Sequence, residues 1–189
     1  MVRVTITAWN PLLLDQLTFH WDALLRPRLD GLTDEEYLWE PVDGCWSVRP
    51  VDDPRAAPIA AGSGGFRCDF AIPEPTPAPV TTIAWRLAHL LVGVLGQRNA
   101  AHFGGPPVSY ETYAYAGTAA EAVARLDAAY AHWTQAVRDL GEDGLAHACG
   151  PAEGPFGDEP LAVLVLHIHR EVLHHGAEIL LLRDLYRCR

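Results

Sequence analysis

Apolar residues recur at helical spacing, i, i+3, i+4 and i+7, in four long segments of the chain. The segments are WNPLLLDQLTFHWDALLRPRL, IAWRLAHLLVGVLGQRNAAHF, AVARLDAAYAHWTQAVRDL and LHIHREVLHHGAEILLLRDLY. No strong alternation of apolar and polar residues, the pattern of a half-buried strand, accompanies them. The pattern therefore predicts an all-α fold, a four-helix bundle formed by a single domain over residues 1–189.

Residues that favour helix ends mark where these helices begin and stop. Asn10 can cap the first helix, Pro11 suits its first turn, and Pro27 and Gly31 predict its end. The spacing of Thr33 and Glu36 or of Thr118 and Glu121 is that of a capping box. The remaining signals are Thr81 or Thr82 before helix two, Gly141 after helix three, and Asp158 with Pro160 before helix four.

A long Pro/Gly-rich excursion, residues 41–80, separates helices one and two and carries no sustained helical period. Connections of this length are uncommon inside a compact domain unless they serve a function or are disordered. Trp46, Phe66 and Phe70 indicate that parts of it pack back on the core. We expect residues 47–80 to form a lid or wall over a pocket.

Composition and charge narrow the partners. The 24 acidic and 14 basic residues give a net charge of −10, which disfavours nucleic acid and anionic membrane surfaces. All the basic residues are arginine, so chemistry that needs a lysine nucleophile is excluded. The four cysteines are widely spaced and no apolar run is long enough to span a bilayer. These features predict a reduced, cytoplasmic protein without a transmembrane segment.

The fourth helix carries the strongest candidate chemistry. At about 100° per residue, His167, Glu171, His174 and Glu178 fall on one line along the helix, the polar stripe. Leucines continue the same line at both ends, a pattern that is atypical of a solvated face. We therefore expect the polar stripe to face a cavity in the core, where its side chains must be paired or bound to a metal.

Other histidines are assigned from the faces on which they lie. His89 on helix two shares a face with aromatic and small residues and is predicted to point inward. His20 could reach the same cavity or form a hydrogen bond near a helix end. The remaining histidines are predicted to be exposed: His102, His132, His147, His169 and His175.

Two motifs, TIAWRLAHL on helix two and LHIHREVLHHGAEILLLRDLY on helix four, resemble those of the DinB superfamily. The segment WEPVDGCWSVRP also fits the connection between the first two helices of that family. The resemblance implies an up-up-down-down four-helix bundle that binds a divalent metal through one histidine of helix two and two of helix four, four residues apart. It also implies a homodimer and, as for some members, a low-molecular-weight thiol substrate.

Transferred to this chain, the family's ligand positions fall on His89, His174 and Arg170. A guanidinium has no lone pair for a metal, so Arg170 departs from the pattern. Either Glu171, His167 or Glu178 supplies the third ligand, or the metal is lost and Arg170 binds an anion.

The sequence leaves three functions open. The first is a metal-dependent transferase or isomerase, with zinc, nickel, iron or manganese as cofactor and a small-molecule substrate. In that enzyme Glu171 or Glu178 could act as general base, and Arg170 could hold a substrate carboxylate. The second is a metal-free bundle that binds a small acidic ligand, and the third is a stress-associated dimer in which the polar stripe is only a hydrogen-bond network.

Overall fold

The first helical segment is continuous but irregular. A computed structural model describes residues 8–189. The first helical segment begins with α1 (Trp9–His20), continues as a π-helical turn (Trp21–Leu25) and ends with α2 (Arg26–Leu29). A short helix, α3 (Asp34–Leu38), follows and opens with the complete capping box of Thr33 and Glu36 that the sequence predicts.

The Pro/Gly-rich excursion contains a small sheet. Its strands are β1 (Val48–Pro50), β2 (Ile59–Ala61) and β3 (Phe66–Phe70), all antiparallel, in the order β1-β3-β2. The register pairs Val48 with Cys68 and Ile59 with Phe70. The prediction of a mainly helical chain is confirmed, whereas the prediction of an all-α fold is wrong because of this sheet. Strands of three to five residues are too short to show a sustained alternation.

Buried charges hold the sheet together and fix it to the helices. The Arg49 guanidinium donates to Asp69 (2.7 Å) and to the backbone oxygen of Cys45 (2.7 Å). Asp69 also accepts from the backbone N–H of Ser47, and its backbone oxygen accepts from the indole N–H of Trp85 on the next helix (2.9 Å). The sheet is therefore attached to the helix that begins at Ile83.

The remaining helices complete the fold. The second helical segment consists of α4 (Ile83–His89), a π-helical turn (Leu90–Val94) and α5 (Leu95–His102). The third is α6 (Ala119–Leu145) and the fourth is α7 (Leu161–Arg187), with a 3-10 turn (Pro151–Phe156) between them. Side chains of all four segments share one apolar core, for example Leu17, Leu87, Leu126 and Val165.

The helix boundaries agree with most sequence signals. Thr82 caps α4 and Thr118 caps α6, each by accepting from a backbone N–H three residues later. Asn10 is not a cap, because α1 begins one residue earlier and the buried Asn10 side chain donates to the backbone oxygen of Val137. Gly141 ends the regular part of α6 as predicted, because its φ of 64° and ψ of −172° break the helix, and a short further helical stretch follows up to Leu145.

None of the helices among residues 8–189 combines the length and the apolar character that crossing a bilayer requires.

Candidate metal centre

His89 lies at the end of α4 and is held by a tyrosine from a distant loop. Its Nδ1 is 2.9 Å from the hydroxyl oxygen of Tyr110. The approach depends on Gly93, in the π-helical turn after His89, because a Cβ there would lie 2.1 Å from that oxygen. Since Nδ1 is engaged, Nε2 is the His89 nitrogen that can offer a lone pair.

Helix α7 contributes two further donors, one turn apart. The Nε2 of His175 is 3.3 Å from Oε2 of Glu171, which precedes it by four residues. The Nδ1 of His175 is 2.7 Å from Oε2 of Glu178, and a carboxylate in this position favours the tautomer with the proton on Nδ1. The lone pair of His175 Nε2 is then directed to the side on which Glu171 lies.

The donors of α4 and α7 converge. Candidate ligand atoms of His89, Glu171 and His175 all lie within 4.8 Å of one another. The two imidazole rings are perpendicular, with centroids 4.8 Å apart. Two imidazoles and one carboxylate are a donor set that divalent transition metals bind, with coordination positions left for water or substrate. The residues therefore fit a metal ion.

The electrostatic surroundings keep His89 in the form that binds metals. Burial, followed by the electrostatic influence of the neighbouring His175 side chain, lowers the pKa of His89 to about 4. Only a neutral imidazole has a lone pair to donate. Near neutral pH His89 is therefore ready to act as a ligand.

A second group of potential ligands lies on α7 alone, formed by His174, His175 and Glu178. Nε2 of His174 is 3.4 Å from Oε1 of Glu178, and the His174 side chain is 62% exposed. This group shares His175 with the first but does not include a residue of α4. A cation there would be exposed to water and tied to one helix.

The face of α7 that points to the core is shifted by one residue position from the predicted face. His174 points to solvent, so the expectation that the whole polar stripe faces the core is wrong. His175 and His169, expected at the surface, are both buried. The two residues of α7 that group with His89 and lie four positions apart are Glu171 and His175, not Arg170 and His174. A metal ion held by this group would therefore meet a carboxylate rather than a guanidinium.

Two other members of the predicted site lie at its edge. The Arg170 guanidinium donates to Nδ1 of His167 (2.6 Å), and the Arg170 side chain is 70% exposed. His167 Nδ1 is also 3.6 Å from Glu171 Oε1. The structure thus places His167 beside Glu171 and Arg170 outside the three converging donors.

The remaining histidines serve other parts of the molecule. His102, expected to be exposed, is partly buried, and its Nε2 is 2.9 Å from Oε1 of Glu153. Partly buried His132 lies 3.0 Å from the backbone oxygen of Phe103, whereas His147 is exposed as expected. A Cβ on Gly176 would lie 3.2 Å from Nε2 of His20, so His20 faces α7 next to His175.

Cavities open on two sides of His89 and Tyr110. One, of about 340 Å³, lies between the sheet and α4 and is mostly apolar. The other, of about 330 Å³, is lined by polar residues that include Arg98, His167 and Glu171. Of the three converging donors, the first cavity contacts His89, and the second contacts His89 and Glu171. The expectation that residues 47–80 provide a wall fits the first cavity.

The role of Tyr110 could not be predicted from the sequence, and that of Gly93 could be predicted only in part. Tyr110 lies in a proline-rich connection without helical or strand periodicity, so no pattern linked it to His89. Gly93 did give a signal, because it shares the helical face of His89 and a small residue there indicates close packing.

Comparison with known proteins supports the assignment of the family only. No curated protein and no solved structure matches the chain. The model of the DinB superfamily matches residues 16–179, most of the 189 residues, and the chain therefore belongs to the DinB superfamily.

Proposed function

We propose that this protein is a metal-dependent enzyme of the DinB superfamily, with a divalent transition metal held by His89, Glu171 and His175. The single observation that supports this proposal is the convergence of these three donors from two helices beside cavities of small-molecule size. We also propose that the four helical segments form the up-up-down-down bundle of the family, which would explain why α4 and α7 face each other.

The hydrogen bonds around the donors are those expected of metal ligands. The outer nitrogen of His175 contacts Glu178 (2.7 Å), and Glu178 in turn is 3.1 Å from Nε of Arg86. Such outer partners fix the tautomer and ring orientation of a ligating histidine. Zinc, iron, nickel and manganese all fit this donor set.

The residues of the chain divide the work of the site. A bound divalent metal would act as a Lewis acid and would lower the pKa of a water or thiol bound to it. Burial raises the pKa of Tyr110 to about 12, so its hydroxyl keeps its proton. When His89 donates from Nδ1, the Tyr110 oxygen accepts that hydrogen bond. The Tyr110 hydroxyl can then donate its own hydrogen bond to a substrate oxygen. Glu178 holds His175 in place, and the Gly93 backbone makes room for Tyr110.

Several features stay predictions. The low-molecular-weight thiol as substrate and the homodimer rest on the family resemblance, and the cytoplasmic location rests on the composition. The four cysteines are all free, which is compatible with a reducing compartment. A metal-free protein that binds an acidic ligand through Arg170, His89 and His174 is less favoured. Arg170 and His174 are both exposed and lie outside the group that contains His89.

Metal content provides the test, with two adjacent histidines as a matched pair. We expect about one transition metal per chain in the purified, untagged protein and in His174→Ala, and loss of that metal in His175→Ala. Inductively coupled plasma mass spectrometry measures all three, and circular dichroism checks that each variant is folded.

Two results would contradict the proposal. Loss of metal in His174→Ala but not in His175→Ala would assign the ion to the exposed group on α7. Absence of metal from the wild-type protein, even after incubation with zinc, nickel and manganese, would leave the three residues as a hydrogen-bond network.

A further inference from the structure

The apolar cavity beside His89 has one wall made by the sheet. In the antiparallel register Ile59 pairs with Phe70 and Ala61 with Cys68. Side chains alternate between the two faces of a strand, so these four residues share one face. All four line the cavity. The other face of the sheet carries Asp69, whose carboxylate is bound to Arg49. The wall is thus one apolar face of a sheet that is fixed from behind by buried charges.

Large apolar side chains at the mouth of this cavity remain exposed to water. Ile72, just after β3, is 76% exposed and Phe70 is 41% exposed. A cluster of exposed apolar residues around an opening is costly to maintain and commonly marks a binding site. Neither Phe70 nor Ile72 belongs to the apolar core of the helices. Their position points to an apolar ligand.

The opposite wall is aromatic and leads to the metal centre. The rings of Trp85 and His89 are stacked, with centroids 5.7 Å apart and planes 14° apart. The indole of Trp85 is fixed by its hydrogen bond to the backbone of Asp69. The hydroxyl of Tyr110 lies at the inner end, against His89. A flat ring that enters the cavity would meet flat rings and would carry a polar substituent toward Tyr110.

Charge selects among flat ligands. Glu111 contributes the one carboxylate side chain to the lining described within residues 8–189, because Asp69 directs its carboxylate to Arg49 on the opposite face of the sheet, and no arginine is among the lining residues there. An anionic ligand would gain no counter-charge there and would be repelled by Glu111 at the exposed rim. The cavity therefore favours a neutral aromatic compound over its carboxylate analogue.

We propose that this cavity binds the uncharged aromatic part of the substrate, a compound of one or two rings, and directs its polar group to Tyr110 and His89. A volume of about 340 Å³ suits a ligand of that size. The proposal rests on the function proposed above, because the reacting group is placed by the metal centre. It adds that the wall formed by residues 59–72 sets the specificity for the substrate.

The test uses two probes with the same rings and different charge, 2-naphthol and 2-naphthoate. We expect 2-naphthol to bind saturably at one site per chain and 2-naphthoate to bind at least about tenfold more weakly, as isothermal titration calorimetry can measure. Ala61→Phe fills the cavity and should weaken 2-naphthol binding at least about tenfold. Ala60→Phe adds the same ring on the opposite face of β2 and should change the Kd less than about twofold.

A further variant distinguishes a loss of ligand binding from a loss of folding. Because Phe70 is exposed, Phe70→Ser should fold normally and still weaken 2-naphthol binding by about fivefold or more. Thermal denaturation of each variant confirms that it is folded. No saturable binding of 2-naphthol, unchanged binding in both Ala61→Phe and Phe70→Ser, or tighter binding of 2-naphthoate would each overturn the proposal.

Metal content, measured on the same preparations, separates this proposal from the one on which it rests. A metal-free protein that binds 2-naphthol in the expected manner would contradict the metal centre but keep the aromatic site. A protein with metal that does not bind 2-naphthol would have the opposite meaning. The metal content of Ala61→Phe should equal that of the wild-type protein, because Ala61 contacts none of the three ligands.

Discussion

Two polar clusters hold α7 against its neighbours, and they differ in how completely their atoms are paired. The first joins the C-terminal end of α7 to the loop after α2. There Arg183 is 1% exposed and donates to the Glu36 carboxylate (3.1 Å) and to the backbone oxygens of Asp30 (2.9 Å) and Arg28. Glu36 is 4% exposed and also closes the capping box of α3. Charge and hydrogen-bonding capacity are both used within the protein.

The second cluster, His89 with Glu171 and His175, has short hydrogen bonds on its outer side and longer contacts on its inner side. Tyr110 and Glu178 lie 2.9 Å and 2.7 Å from the Nδ1 atoms of His89 and His175. Nε2 of His175 is 3.3 Å from Glu171, and candidate ligand atoms of the three residues lie within 4.8 Å of one another. Lone pairs that converge on a common point can bind an added ion. The direction of the remaining lone pairs, rather than burial as such, distinguishes a candidate reactive site from a structural one.

Removal of one partner from the first cluster should have the largest effect on stability. Arg183→Leu leaves the buried Glu36 carboxylate with much less compensation, and we expect the free energy of unfolding to fall by about 3–5 kcal/mol. Urea denaturation measures the change. The matched control is Arg187→Leu, since Arg187 also contacts Glu36 (3.2 Å) but is exposed, and its loss should cost about 1 kcal/mol or less.

The metal content of folded Arg183→Leu tests the comparison itself. It should remain that of the wild-type protein, because the two clusters share no residue. A folded variant without metal would show that they are coupled through α7.

Crowding of the second cluster should have an intermediate effect. In Gly93→Ala the new Cβ would lie 2.1 Å from the Tyr110 hydroxyl, which must move away from His89. We expect a loss of about 1–3 kcal/mol in stability from the displaced side chain. Metal affinity should fall by at least about tenfold, because His89 loses the group that orients it. Thermal denaturation and competition with a chelator give the two values.

Gly65→Ala is the control for this substitution. A Cβ at Gly65 meets no atom within 4 Å, so both values should stay close to those of the wild-type protein. If Gly93→Ala binds metal as tightly as Gly65→Ala, Tyr110 does not position His89.

The smallest effect on stability is expected when the outer partner of His175 loses only its charge. Glu178→Gln keeps an oxygen for the Nδ1 proton, so stability should change by less than about 1 kcal/mol. The weaker acceptor should nevertheless lower metal affinity by about tenfold, measured by chelator competition. Glu35→Gln, at an exposed glutamate of α3, should leave the affinity unchanged. Equal affinities in the two variants would mean that Glu178 does not tune His175.

Helix positions could be predicted because their signals are local. The hydrogen bonds that open α3, α4 and α6 each join a threonine to the N–H three residues later, so the sequence contains both partners within one turn. The sheet could not be predicted in this way. Its strands are three to five residues long. The ion pair that stabilises it joins residues of two different strands, Arg49 and Asp69, which are far apart in the sequence.

The sequence places candidate ligands on α4 and α7, the two helices that carry the converging donors, but with a shift on α7. The polar stripe was taken to point inward, whereas the buried line of α7 is the adjacent one that contains Ile168, Val172, His175 and Ile179. Residues 174 and 175 lie on either side of Glu171 in projection, about 60° and 40° away, so a helical wheel alone separates them poorly. Packing against His89 decides between them, and that contact joins residues far apart in sequence.

The two ends of the excursion that carries the sheet meet. Trp46 and Thr81 form a parallel bridge, with Trp46 N–H donating to the oxygen of Val80 and Thr82 N–H donating to the oxygen of Trp46. A segment with adjacent ends can be exchanged for another of different length without rearranging the helices to which it is attached. The wall of the apolar cavity beside His89 can therefore change in evolution, or be redesigned by transplanting a loop, while the histidines of the helices stay in place.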